Sequence, residues 1–168
     1  MKKVLMIIAQ ENFRDEELLE PKEVLENKGF EVKIASEEKR IAKGKLGTEV
    51  MPDLTFEEIN LDEFEGIIFV GGRGIAKYFF NQKILNLAKE AVEKNIVMGA
   101  ICIAPSILAN AGVLAGKRAT AFPSEKTNLE AQGVHYSEGP VEVDGKIVTA
   151  NGPKAAKKFG EKVALLLK

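Results

Sequence analysis

The residues with the most chemistry in this 168-residue sequence are one cysteine, one histidine and a run of three acids. The cysteine lies in Ile96-Val97-Met98-Gly99-Ala100-Ile101-Cys102-Ile103-Ala104-Pro105-Ser106-Ile107-Leu108. The apolar run before Cys102 reads as a strand covered on both faces, as in a parallel sheet. Pro105 suits the first turn of a helix, where its fixed φ and missing N–H cost nothing. Cys102 is therefore expected on a strand-to-helix turn, at the carboxyl end of a strand, where open α/β sheets bind ligands. A helix N-terminus favours thiolate over thiol, and burial opposes it. A lone cysteine is often a small core hydrophobe; the strand–cysteine–helix context favours a functional thiol.

Gly71-Gly72-Arg73-Gly74 follows an apolar run and reads as a tight turn with exposed N–H groups, able to hold an oxyanion. It is neither a G-x-G-x-x-G fingerprint nor a phosphate loop with a following Lys-Ser or Lys-Thr. Asp15-Glu16-Glu17 opens a helical pattern and complements its dipole. A carboxyl buried beside Cys102 would instead be protonated and could donate to a thiolate. His135 is the only histidine, so a Cys-His dyad within one chain uses it or does not exist. It sits in a polar connection and reads as a surface or loop-packing residue, and one histidine argues against a histidine-based zinc site.

The elements that must position these groups alternate. Val4–Ala9 is a buried strand, Gln10–Asp15 a loop, and Glu16–Lys28 a helix ended by Gly29, with Pro21 marking its true start or a kink. Phe30–Ala35 is a second strand, and Lys39–Pro52 an irregular hairpin on an edge. Thr55–Phe64 is a connection and Gly66–Val70 a central strand. A helix over Gln82–Lys94 turns Ile84, Leu85, Leu87, Ala88, Ala91 and Val92 inward. After Cys102 a helix runs to Ala111. Arg118–Phe122 reads as a short strand, and Ser124–Ala131 as a helix capped by Ser124. Val141–Val148 is a hairpin with an Asp144-Gly145 turn, and Lys154–Lys168 is the closing helix. Alternating strands and helices predict an α/β fold, mainly a parallel sheet with helices on both faces, in one domain over 1–168.

Hydrophobic content of 45% and a net charge of −1 are ordinary for a soluble protein, and no basic excess points to nucleic acid. No apolar run is long enough to span a bilayer, and Met1-Lys2-Lys3-Val4 leads into a strand rather than a signal peptide. One cysteine excludes an internal disulfide and fits a cytoplasmic protein. Abundant Lys and Glu, with glutamine only at Gln10, Gln82 and Gln132, lean towards a thermophilic source.

Together these residues resemble the ThiJ/PfpI superfamily over nearly the whole chain. The matching segments are Glu17-Leu18-Leu19-Glu20-Pro21, Val70-Gly71-Gly72-Arg73, Ala100-Ile101-Cys102 with Ala104-Pro105, Ala111-Gly112-Val113-Leu114, Glu142-Val143-Asp144-Gly145 and Asn151-Gly152-Pro153. The resemblance implies a flavodoxin-like sandwich with Cys102 on a strained nucleophile elbow. It also implies that Glu17 is the family's protonated carboxyl beside the thiol, and that the chain forms a homo-oligomer, a dimer or larger. It implies no cofactor. Three positions depart from the pattern. Ile103 stands where the peptidase-like branch has histidine, Ala76 where that branch has glutamate, and Phe122 where the deglycase branch has histidine.

The function this favours is a reactive thiol acting on small electrophiles such as α-oxo aldehydes. Cys102 would attack the carbonyl, Glu17 would move the proton, and the Gly71-Gly72 turn with the Ile103 N–H would hold the oxyanion. The alternatives are a non-enzymatic peroxide sensor, in which Cys102 stops at sulfinate beside Glu17, a peptidase relative with an impaired site, and a scaffold with a silent one.

Overall fold

The computed structural model describes residues 1–167, so the last position of the expected closing helix lies outside the described residues. Seven strands form the central sheet in the order β11-β12-β8-β7-β1-β3-β6. In chain order they are β1 (Lys3–Ile7), β3 (Glu31–Ser36), β6 (Leu54–Thr55), β7 (Gly66–Phe69), β8 (Val97–Ile101), β11 (Val141–Asp144) and β12 (Ile147–Ala150). All neighbours run parallel except β11 against β12. The chain pairs β1 first with β3 on one side and then with β7 on the other, so the crevice beyond the carboxyl ends of β1 and β7 is a topological switch point.

Strand alternation sorts the apolar residues into two layers. Leu5, Ile7, Ile67, Phe69, Met98 and Ala100 face helices α2 (Gln82–Glu93), α3 (Pro105–Asn110) and α4 (Lys126–Ala131). Val4, Met6, Ile68, Val97 and Ile101 face α1 (Asp15–Asn27) and α5 (Ala156–Leu166). The central strands are apolar throughout because both faces are covered. This is the doubly layered α/β arrangement expected from the sequence.

Several local expectations change. The helix of the acidic run begins at Asp15 and carries Pro21 inside it, so Pro21 does not mark its start. That proline backs onto α5: a Cβ at Gly160 would come within 2.8 Å of the Pro21 Cα, so the two helices meet along a seam that only glycine permits. Val92 is 46% exposed, since α2 turns it outward at its last turn. Arg118–Phe122 is a strand only over β9 (Arg118–Ala119), which pairs with β10 (His135–Tyr136) outside the main sheet. Ser124 caps nothing; Pro123–Glu125 is a 3-10 turn, and the Ser124 hydroxyl donates to Glu125. The final hairpin turns on Gly145 and Lys146, one residue later than expected, because Asp144 still pairs with Ile147.

The expected edge hairpin is present as antiparallel β4 (Ala42–Gly44) and β5 (Glu49–Val50). It joins β2 (Glu11–Phe13), which forms within the loop expected after the first strand. No helix is long and apolar enough to cross a membrane among the described residues.

Candidate active site

Cys102 follows β8 directly and has φ +66°, the left-handed region that a side chain seldom occupies. Its N–H donates to the Ala150 carbonyl at 2.9 Å, and its carbonyl accepts from the Phe122 N–H at 2.8 Å. These two bonds hold a conformation that costs of order 1–3 kcal/mol. Pro105 opens α3 as the sequence predicts.

Glu17 reaches the thiol from α1. The helix start is docked on the glycine turn, where the Arg14 N–H donates to the Gly71 carbonyl at 2.9 Å. Gly71 lies between the two side chains. A Cβ there would fall on Glu17 Oε1 and lie 2.5 Å from the Cys102 Cβ, so glycine is required for their approach. Gly72, at φ +105°, lets the turn pass under the backbone of residues 12–14.

Glu17 is fully buried, and neither carboxyl oxygen has a hydrogen-bond partner of ordinary geometry. Burial pushes its carboxyl up to about 8, against smaller lowering effects from the Cys102 thiol, the Arg14 charge and the Gly71 N–H. At neutral pH it therefore holds a proton. Burial also pushes the Cys102 thiol up to about 12, followed by the Glu17 charge, while the Gly72 and Ile103 N–H groups pull the other way. The sequence left open whether the helix end or burial prevails at the thiol: α3 is six residues long and the thiol is almost covered, so desolvation outweighs the helix end. The structure sets the expected oxyanion donors around the pair. The N–H groups of Gly72 and Ile103 act on the sulfur, and that of Gly71 acts on the Glu17 carboxyl.

The two groups share their protons. Losing one from the pair leaves a monoanion near pH 8, in which sulfur and carboxylate compete for the remaining proton.

The other two acids of the run go elsewhere. Glu16 takes Arg14 in a two-pronged ion pair at 2.8 and 3.0 Å. Asp15 accepts the N–H groups of Leu46 and Thr48 at 2.8 and 2.9 Å and so ties the β4–β5 hairpin to α1.

Cys102 opens into a cavity of about 410 Å³. Ile103 and Phe122 line it, so the two positions where the resemblance called for histidine both face the thiol chamber and are apolar. His135 is exposed on β10 and does not line it, and Ala76 is exposed beyond it.

Sequence reasoning missed the far wall. Ser106, fully buried on α3, donates to Glu125 Oε1 at 2.6 Å, while Ser124 donates to Oε2 at 2.7 Å. Asn128 bridges Ser106 and Asn110 at 3.1 and 3.0 Å. The i, i+3 spacing of Glu125 and Asn128 was visible, but their partners on α3 come from the fold. The cationic side chains at the cavity mouth, Arg14, Lys45 and Arg73, were also missed, because they lie on three separate loops.

Known proteins match this arrangement. The chain is 42% identical over 164 residues to an uncharacterized protein of Methanocaldococcus jannaschii, covering 96% of this chain and 80% of that one. It is 37% identical over 151 residues to deglycase PfpI of Pyrococcus furiosus, covering 90% of each. A ThiJ/PfpI domain protein from Brachyspira murdochii superposes with a TM-score of 0.96 at 32% identity, covering 98% of this chain and 95% of that one. The DJ-1/PfpI family model matches residues 2–165, and with the strained Cys102 turn at the sheet's carboxyl edge this chain belongs to the DJ-1/PfpI family.

Proposed function

We propose that the protein is a cysteine-dependent enzyme of the glyoxalase and deglycase type, converting α-oxo aldehydes to 2-hydroxy acids through Cys102 and Glu17. One observation carries this: a buried carboxyl without a hydrogen-bond partner lies against a thiol that opens into a cavity. Family relatives named deglycase and glyoxalase support the reaction class.

Sulfur attacks the aldehyde carbon, the carbonyl π pair moves to oxygen, and the thiol proton passes to the Glu17 carboxylate and on to the new alkoxide. Glu17, free again, removes the C1 proton, and the electron pair shifts to C2 through an enediolate. The C1 hydroxyl passes its proton to the C2 oxygen, and returning the carbon-bound proton at C2 leaves C1 as a thioester, oxidised at the expense of C2. Water then releases the 2-hydroxy acid and restores the thiol. One carboxyl suffices because it acts by turns as base and acid. Apolar Ile103 and Phe122 keep water from competing early.

Methylglyoxal turnover tests the proposal. Cys102→Ser and Glu17→Gln are each expected to abolish it. Activity retained in both variants sinks the proposal.

A further inference from the structure

The mouth of the Cys102 cavity carries more positive charge than the molecule around it. The whole chain has a net charge of −1, yet Arg14, Lys45 and Arg73 line one cavity whose one lining carboxylate among the described residues, Glu125, is half-buried. Arg14 is committed to Glu16. Lys45 and Arg73 have no ion-pair partner among the described residues. Glu125 is occupied on the opposite wall by the Ser106 and Ser124 hydroxyls.

The Lys45 backbone is held in place. Its own N–H donates to the Phe13 carbonyl at 2.9 Å, and the next N–H, of Leu46, donates to Asp15. The hairpin is thus clamped to β2 and α1 so that this one residue stands at the mouth. Arg73 begins the 3-10 turn immediately after Gly72, which passes under residues 12–14. The two unpaired cations therefore line the same cavity as the thiol, from backbones that the fold holds in place. An unpaired cation beside a partly apolar chamber attracts anions over a longer range than one in open solvent.

We propose that the site selects anionic carbonyl substrates, α-oxo aldehydes carrying a carboxylate or phosphate, with Lys45 and Arg73 holding the anion while the aldehyde meets Cys102. This rests on the enzymatic reading above. It predicts discrimination against neutral methylglyoxal in favour of the same skeleton with a phosphate on C3.

The test uses the single thiol with two alkylating agents of nearly equal size, iodoacetate and iodoacetamide. In each reaction the S–C bond forms as the C–I bond breaks, iodide leaves with the pair, and the thiol proton goes to solvent. The readout is the ratio of the iodoacetate rate to the iodoacetamide rate at Cys102, by mass, against the same ratio for N-acetylcysteinamide. The protein's ratio is expected to exceed that of the free thiol by on the order of tenfold at low salt and to fall as salt rises. Lys45→Ala and Arg73→Ala should each lower it by about fivefold. Lys77→Ala, which removes an equal charge paired with Glu37 outside this cavity, should leave it unchanged. A ratio equal to the free thiol's, or one unchanged when Lys45→Ala and Arg73→Ala are combined, overturns the proposal, and a thiol that neither reagent reaches overturns it together with the enzymatic reading. The kinetic arm compares kcat/KM for 2-oxo-3-(phosphooxy)propanal and methylglyoxal. A raised alkylation ratio without turnover of either aldehyde refutes the enzyme and leaves a thiol site that selects anions. Turnover with equal kcat/KM for the two refutes the selection alone.

Discussion

Asp15 and Glu17 stand two residues apart in the first turn of α1, both buried, and their carboxyls ionise in opposite senses. Desolvation pushes both upward. For Asp15 the Thr48 hydroxyl and the N–H groups of Leu46 and Thr48 outweigh that push, and its pKa falls below the ordinary 3.8. For Glu17 the opposing interactions are weaker, and it rises to about 8. Burial is common to both, so what separates a structural anion from a proton carrier is how many donors the fold aims at the oxygens. Glu16, between them, shows the third outcome: half-exposed, it pairs with Arg14 and its pKa is lowered, first by that hydrogen bond.

The largest effect expected on this contrast comes from removing the proton carrier. Glu17→Gln should cut kcat/KM for aldehyde turnover by roughly 10²- to 10⁴-fold and leave the circular dichroism spectrum intact. It should also move the midpoint of Cys102 alkylation by iodoacetamide to higher pH, since the first proton of the pair then has to come from the buried thiol. A midpoint that stays near pH 8 would show that the carboxyl takes no part in ionising the thiol.

Next in size is the pH dependence of stability. Below 4.5 Glu17 is protonated in both folded and unfolded chains. Between 4.5 and about 8 the unfolded chain has lost that proton and the folded one has not, so unfolding releases it and stability falls as pH rises. The slope approaches about 1.4 kcal/mol per pH unit for one group, and urea titrations across this window should show most of it gone in Glu17→Gln. Asp15 acts with the opposite sign. Its contribution is complete above 3.8 and is lost as pH falls through its lowered folded value. A Glu17→Gln protein with the parental slope would contradict the assignment.

Asp15→Asn should cost about 2 kcal/mol, because an amide turned towards two N–H donors leaves one of them without an acceptor. In a chain of this size that lowers Tm by about 4–8 °C, while the iodoacetamide midpoint stays where it was. If that midpoint moves as far as in Glu17→Gln, the division between the two acids is wrong. The smallest effect is expected for Thr48→Val, which removes only one donor and should cost about 1 kcal/mol at neutral pH, read from the urea midpoint.

This division was only partly legible in the sequence. The turn at Cys102 could be read because Ala100-Ile101-Cys102 followed by Pro105 encodes strand end and helix start locally. The paired role of Glu17 came from resemblance, and Asp15, Glu16 and Glu17 looked alike as dipole complements. What separates them is Thr48 and Leu46, more than thirty residues along the chain, reached through a hairpin whose register no local pattern reports. The thiol's ionisation was open for the same reason, since helix end and burial oppose each other and only packing decides. Ser124 looked like a cap because its type fits one, but the Pro123 turn and the Glu125 carboxyl compete for that hydroxyl. Val92 matched the helical period and faces solvent because α2 is covered on a narrower stripe than its apolar pattern suggests.

The Gly160–Pro21 seam sets an order of assembly. Cys102 comes from the middle of the chain and Glu17 from near its beginning, but the helix that presses α1 into place is the last of these elements to be synthesised. A nascent chain that has made β8 and not yet α5 has its thiol without a fixed carboxyl beside it. The thiol and its neighbouring carboxyl are thus brought together only once the sandwich has closed over α1.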